Sequence, residues 1–186
     1  MKRIFDLCLA LVAIVFLSPL FLLVTIVVRL TSKGPVLYWS DRVGRDNKLF
    51  RMPKFRTMLV DTPAVATHLL PNPKQFLTPL GSFLRKSSLD ELPQLWSVFK
   101  GDMSFVGPRP ALFNQDDLIR LRTEKGVHIL KPGITGWAQI NGRDELPIPE
   151  KVKLDVIYLH KHSLSFDLKI IALTVLKVLC RDNIQH

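Results

Sequence analysis

Leu7-Cys-Leu-Ala-Leu-Val-Ala-Ile-Val-Phe-Leu-Ser-Pro-Leu-Phe-Leu-Leu-Val-Thr-Ile-Val-Val28 is a run of 22 residues without a charge, bounded by Asp6 and Arg29. As one helix it would be about 33 Å long, enough to cross the hydrocarbon core of a bilayer. A cleaved signal peptide would be shorter and would end in small residues of the Ala-x-Ala kind, which this run lacks. Two features disturb a plain crossing. Ser18-Pro19 stands in the middle, where proline removes a backbone donor and clashes with the preceding turn. The freed carbonyl needs a partner in hydrocarbon, and the Ser18 hydroxyl is well placed to supply one. Basic residues also flank both ends, Lys2 and Arg3 before and Arg29 and Lys33 after. The positive-inside tendency therefore holds both ends on the cytoplasmic side. A helix bent at Ser18-Pro19 that enters and leaves by one face meets both observations. An ordinary kinked transmembrane helix is the alternative, and composition alone leaves the two open.

Around this segment the chain is strongly basic. It has 186 residues, with 26 Lys and Arg against 16 Asp and Glu, a net charge of +10. That length suits one domain with an appendage. With 47% hydrophobic residues there is ample core, which excludes a disordered basic tail. A net positive surface draws polyanions: nucleic acid, anionic lipid or a phosphorylated substrate. Cys8 and Cys180 sit among apolar residues and form no disulfide framework, as in a reducing compartment. The five histidines are scattered and form no zinc pattern.

Residues 32–186 read as a compact domain on the membrane surface. Pro35 to Trp39 and Leu49 to Met52 are strand candidates, joined by a turn around Gly44-Arg-Asp-Asn47. Thr62 to Thr78, with three prolines, is loop or broken helix. Helices are expected over Leu92–Phe99, Asn114–Thr123, Val152–His160 and Ser165–Arg181. Gly101–Pro110 and Lys131–Gly142 are shaped loops. Ile170 to Leu176 is uncharged but too short to span, so it is either a core helix or a helix lying flat on the membrane.

The densest polar group is Arg85-Lys-Ser-Ser-Leu-Asp-Glu-Leu-Pro93. Ser88-x-x-Glu91 matches a capping box starting a helix at Leu89, whereas Pro93 favours a start with Leu92 as N-cap. Both put Asp90 and Glu91 at a helix N-terminus, where negative charge is stabilised. Neighbouring helical side chains diverge by about 100°. One carboxylate can therefore attack while the other binds a metal, or Glu91 simply caps and Asp90 faces water. In Gly107-Pro-Arg-Pro110 two prolines stiffen the loop around Arg109, whose guanidinium suits a bidentate phosphate contact. Lys54-Phe-Arg56 alternates as a strand would, putting both cations on one face. No glycine-rich phosphate loop and no Ser/His/Asp elbow occurs.

In order, these pieces resemble the bacterial sugar transferase family, small monotopic phosphoglycosyl transferases acting on polyprenol phosphate. The resemblance covers Lys2 to about Arg181. It rests on the apolar segment with Ser18-Pro19, on Asp41-Arg-Val-Gly44 and on Lys54-Phe-Arg-Thr-Met58. It continues through Ser88-Leu-Asp-Glu-Leu-Pro-Gln-Leu95, Lys100-Gly-Asp-Met-Ser104, Val106-Gly-Pro-Arg-Pro110 and Pro132-Gly-Ile-Thr-Gly-Trp137. Without long N-terminal helices the chain is similar to the members that are catalytic core only. The resemblance implies a mostly helical α/β membrane-associated domain, with residues 1–31 a re-entrant helix hairpin broken at Ser18-Pro19, 32–186 the catalytic domain, and interfacial amphipathic helices.

It further implies transfer of a phosphosugar from a UDP-sugar to undecaprenyl phosphate, releasing UMP. Asp90 matches the nucleophile that forms a covalent phosphosugar intermediate, and Glu91 its Mg²⁺-binding partner. Arg85 and Arg109 match positions associated with substrate phosphates, with Lys54 and Arg56 as further phosphate candidates. Expected partners are the nucleotide sugar, the lipid phosphate and membrane lipid, not nucleic acid; a homodimer stays open. The expected location is the cytoplasmic face of the bacterial inner membrane. The rival readings are a membrane-anchored basic module that binds anionic lipid or nucleic acid without catalysis, and a transferase with no covalent intermediate. The sugar, the glycan pathway and the oligomeric state are not readable.

Overall fold

The computed structural model describes residues 2–63, 72–142 and 146–179. The apolar segment forms one continuous helix, α1 (Lys2–Thr31), with Pro19 inside it. Proline at position 19 leaves the Val15 carbonyl without its usual donor, and the Ser18 hydroxyl donates to that carbonyl instead at 2.8 Å. Large side chains along the outer face stand exposed, among them Val12, Val15, Phe16 and Leu23. Only 11% of the most apolar window is buried, so α1 has the length and the surface of a membrane helix.

A mixed α/β body, mostly helical, lies against α1. The two strand candidates and their turn are realised as a hairpin, β1 (Leu37–Val43) and β2 (Leu49–Phe55), joined by a short 3₁₀ turn at Arg45–Asn47. Proline is confined to edge strands, and Pro53 obeys this because β2 is the edge of the sheet β2-β1-β4, where β4 is Ala111–Leu112. The two expected loops differ from the sequence reading. Each contains a short strand, β3 (Ser104–Val106) and β5 (Gly133–Thr135), and the two pair in parallel. Strands of three residues carry too little periodicity to be read.

The helices are α2 (Gly81–Lys86), α3 (Gln94–Lys100), α4 (Asp116–Glu124), α5 (Trp137–Ile140), α6 (Ile148–Lys161) and α7 (Leu164–Leu179). Part of the predicted Thr62–Thr78 loop, residues 64–71, and the end of the last predicted helix lie outside the described residues. In α7 the core-helix reading holds for one face, and another face is apolar and exposed. Ile170 is fully buried against Val106, Ile140 and Tyr158, while Leu168, Val175 and Leu176 are exposed.

Both ends of α1 are built into the body. Near its start Ala10 packs with Met52, Val98 and Met103; near its end Val24 and Val28 pack with Phe55 and Leu84. The charged residues before the apolar run are all bonded to the body. Lys2 pairs with Asp167, which also accepts from the Tyr158 hydroxyl at 2.7 Å. Arg3 donates to the Val98 and Phe99 carbonyls at 2.6 and 2.7 Å, closing the C-terminal end of α3. Asp6, buried, accepts from the Ser104 hydroxyl at 3.1 Å and the Phe105 amide at 3.2 Å.

Candidate active site

Asp90 and Glu91 sit in a 3₁₀ turn, Leu89–Glu91, between α2 and α3. The capping box does not form. A serine N-cap needs an extended backbone, but Ser88 has φ 57° and makes no capping bond. α3 starts instead after Pro93, at Gln94. What pins the turn is packing: Leu89 and Leu92 lie against the cluster of Val24, Val28, Phe55 and Leu84. The carboxylates between them are thereby held at the edge of a core, Asp90 buried at 7% exposure.

Three cations surround the pair. Lys54, on β2, donates to Glu91 Oε1 at 2.8 Å, and Arg109 Nη1 stands 3.9 Å from the same oxygen. Arg85, on α2, is oriented by a bond from Nε to Thr57 Oγ1 at 3.1 Å, and its charge acts on both carboxylates. Burial lowers the Arg85 pKa while Asp90 and Glu91 oppose the shift. Arg56, the remaining phosphate candidate, donates from Nε to the Pro35 carbonyl at 2.8 Å, and that bond goes to neither carboxylate. Lys54 is thus bonded within the acidic pair, and Arg56 to the chain at Pro35.

Burial pushes the Asp90 carboxyl up to about 6, opposed by Lys54 and Arg85 and reinforced by Glu91. A carboxylate so tuned is ionised at neutral pH yet more basic than a solvated one, as a nucleophile requires. With two carboxylates ionised, three cations leave one positive charge, which suits an incoming phosphate.

The Arg109 loop is fixed by its own backbone. The carbonyls of Pro108, Arg109 and Pro110 accept in turn from the Gly133 amide at 2.9 Å, Arg122 at 2.8 Å and Arg42 at 3.1 Å. Gly107 and Gly133 permit the contact, since a Cβ on either would lie about 2.2 Å or less from backbone atoms of the facing segment. Arg122 is held by a buried pair with Asp155, 2.7 Å from Nη2 to Oδ2. Sequence reasoning did not single out Arg122 or Asp155, and Arg42 and Thr57 entered it only inside the motifs Asp41–Gly44 and Lys54–Met58. The one available signal was a charged residue at a core-facing position, as Arg122 is on α4 and Asp155 on α6.

No group of three or more His, Cys, Asp or Glu side chains able to hold a metal unaided occurs among the described residues. Asp90 and Glu91 nevertheless offer hard oxygen donors beside an anion site. That fits Mg²⁺, which takes one or two carboxylates and completes its shell with water and substrate phosphates.

The family model for bacterial sugar transferases matches residues 1–181. A sugar transferase of Bacillus subtilis, EpsL, is 46% identical over all of this chain and 91% of its own length. UDP-glucose:undecaprenyl-phosphate glucose-1-phosphate transferase of Escherichia coli is 42% identical over 95% of this chain, and undecaprenyl-phosphate galactose phosphotransferase of Salmonella typhimurium 37% over 98%. The chain spans only 40% and 41% of the length of these last two. With a match over nearly its whole length, the chain belongs to the bacterial sugar transferase family.

Proposed function

We propose that this protein transfers a phosphosugar from a UDP-sugar to undecaprenyl phosphate, with Asp90 as nucleophile. The observation that carries the reading is one buried carboxylate, Asp90, raised to about 6 within a cluster of Lys54, Arg85 and Glu91. Relatives named for this reaction supply the substrate class.

The reaction then has two halves. An Asp90 oxygen attacks the phosphorus that bears the sugar; the bond from that phosphorus to the bridging oxygen breaks, and UMP leaves with the electron pair. An oxygen of the lipid phosphate next attacks the same phosphorus, giving the polyprenyl diphosphate sugar and freeing the carboxylate. Arg109, Arg85 and Lys54 offset charge on the diphosphate, which otherwise repels an anionic nucleophile. Glu91, with Asp90 beside it, would hold Mg²⁺. When bound, the metal neutralises phosphate charge and orients the leaving group.

The same reading puts α1 in the bilayer as a re-entrant helix at the cytoplasmic face of the inner membrane. What supports this is the anchoring of Lys2, Arg3 and Asp6 at one end and of Val24 and Val28 at the other on the same body. A helix threading the membrane once would have to give up one set.

Purified enzyme given UDP-sugar and Mg²⁺ without lipid should release UMP up to one equivalent and gain the mass of one phosphosugar. UMP release that needs the lipid and leaves no adduct would replace covalent catalysis with direct attack by the lipid phosphate. No UMP from any nucleotide sugar would favour a basic binding module.

A further inference from the structure

Between α1, over Ile14 to Thr25, and the body lies a cleft of about 510 Å³. That is within the range of ~300–1,000 Å³ typical of small-molecule sites. Its walls include Leu17 and Phe21 of α1, Trp39 and Pro53 of the hairpin, and Leu92 and Trp96 beside the catalytic turn. Among the described residues no charged, carboxylate or amide side chain lines it, which leaves the two indole N–H groups as its only side-chain donors beyond hydroxyls. Its two hydroxyls, Ser18 and Thr25, are spent on α1 itself, donating to the Val15 and Phe21 carbonyls at 2.8 Å each. The occupant is therefore apolar.

One end of the cleft states what the occupant is attached to. Pro53 precedes Lys54, Leu92 follows Glu91, and Lys54 and Glu91 are bonded to each other. The apolar wall and the cationic cluster are thus built from neighbouring residues of the same two segments. A molecule complementary to both has an anionic head and a long hydrocarbon chain. Rigid walls of two tryptophans and two prolines, Pro53 and Pro93, make the cleft preformed, so little ordering is needed on binding.

We infer that this cleft seats the first isoprene units of the lipid phosphate acceptor, delivering its phosphate to the Asp90 turn; the inference rests on the acceptor proposed above. The rest of the chain would remain in the bilayer. The acceptor's affinity should then level off once the chain has the few isoprene units that the cleft holds.

The test fills the cleft and reads the two half-reactions separately. Leu17→Trp should raise the KM for undecaprenyl phosphate at least tenfold while leaving the lipid-independent UMP burst intact. An unchanged acceptor KM would overturn the assignment. A second measurement needs no catalysis. Trp39 and Trp96 line the cleft and Trp137 does not, so a Trp137→Phe protein in brominated phospholipid reports on the cleft by fluorescence quenching. Undecaprenyl phosphate should relieve that quenching, and inorganic phosphate should not. Quenching that persists at saturating undecaprenyl phosphate would mean the cleft holds ordinary acyl chains. If Leu17→Trp also loses the burst, the quenching titration decides. Absence of any UMP burst in the wild type would refute the proposed reaction, an outcome distinct from either result on the cleft.

Discussion

Asp90 is asked to be buried and charged at once, and the cost of that compromise can be measured. Its folded pKa, about 6, lies above the ordinary value of 3.8, so between these the folded state binds the extra proton. Stability from this group is therefore greatest at low pH and is lost as pH rises through about 6. Asp90→Asn should abolish the UMP burst and turnover, yet raise the metal-free protein's stability at pH 8 by up to ~3 kcal/mol. Thermal melts would check this, the gain vanishing near pH 4. In the wild type, the rate of the burst should rise with pH through about 6. At Glu91 the expectation is reversed. Glu91→Gln and EDTA should each remove most turnover, whereas loss of the half-buried bond to Lys54 costs only about 1 kcal/mol. Full activity in EDTA would strike the metal from the mechanism. Asp90 and Glu91 were singled out through the resemblance carried by Ser88 to Leu95, since two acids at a helix start read equally well as a cap and a solvated side chain. What holds them in place was not legible. The sequence pointed to capping, while the structure holds them by Leu89, Leu92 and a left-handed Ser88.

Among the elements, the Arg109 loop and α1 invite separate tests. Arg122 donates to the Arg109 carbonyl and is itself paired with Asp155. Arg122→Met strands a buried carboxylate and should cost ~3–5 kcal/mol in chemical denaturation. Adding Asp155→Leu should restore much of that stability but not the loop, so the KM for the nucleotide sugar should stay high. For α1, Pro19→Ala returns the missing donor to Val15 and should straighten the helix. Labelling of a cysteine placed at Lys2 in a Cys8→Ala, Cys180→Ala background should then shift, for part of the population, from the cytoplasmic to the opposite face. An N-terminus already on the opposite face in the Pro19 protein would sink the re-entrant reading. The hairpin was legible from two short apolar and aromatic runs, Pro35–Trp39 and Leu49–Met52, around a Gly-Arg-Asp-Asn turn, although β1 and β2 extend beyond both. β3 and β5 were hidden, since their register is set by Gly107 and Gly133 meeting across the chain. Lys54 and Arg56 were expected to act together by strand alternation. The pairing of Arg56 with Pro35 depends on the path of the chain at Gly34, which local pattern does not encode.

For the molecule as a whole, the anchor and the enzyme share their cores. Ala10 fills one hydrophobic cluster, and Val24 with Val28 fills another beside Asp90. Removing residues 1–31 should therefore yield an unfolded or aggregated product rather than a soluble enzyme, as circular dichroism and limited proteolysis would show. A folded, protease-resistant fragment would mean that α1 is only a tether. This dependence was invisible in the sequence, where the apolar run and the domain look like separable pieces. The clamp at the start of α1 also has a consequence in time. Lys2 leaves the ribosome well before its partner Asp167, which is separated from it by 165 positions. Until the ribosome has delivered α7, the leading end of the helix is held by fewer of its final bonds. The insertion machinery therefore handles a segment whose orientation is ratified only after α7 has emerged.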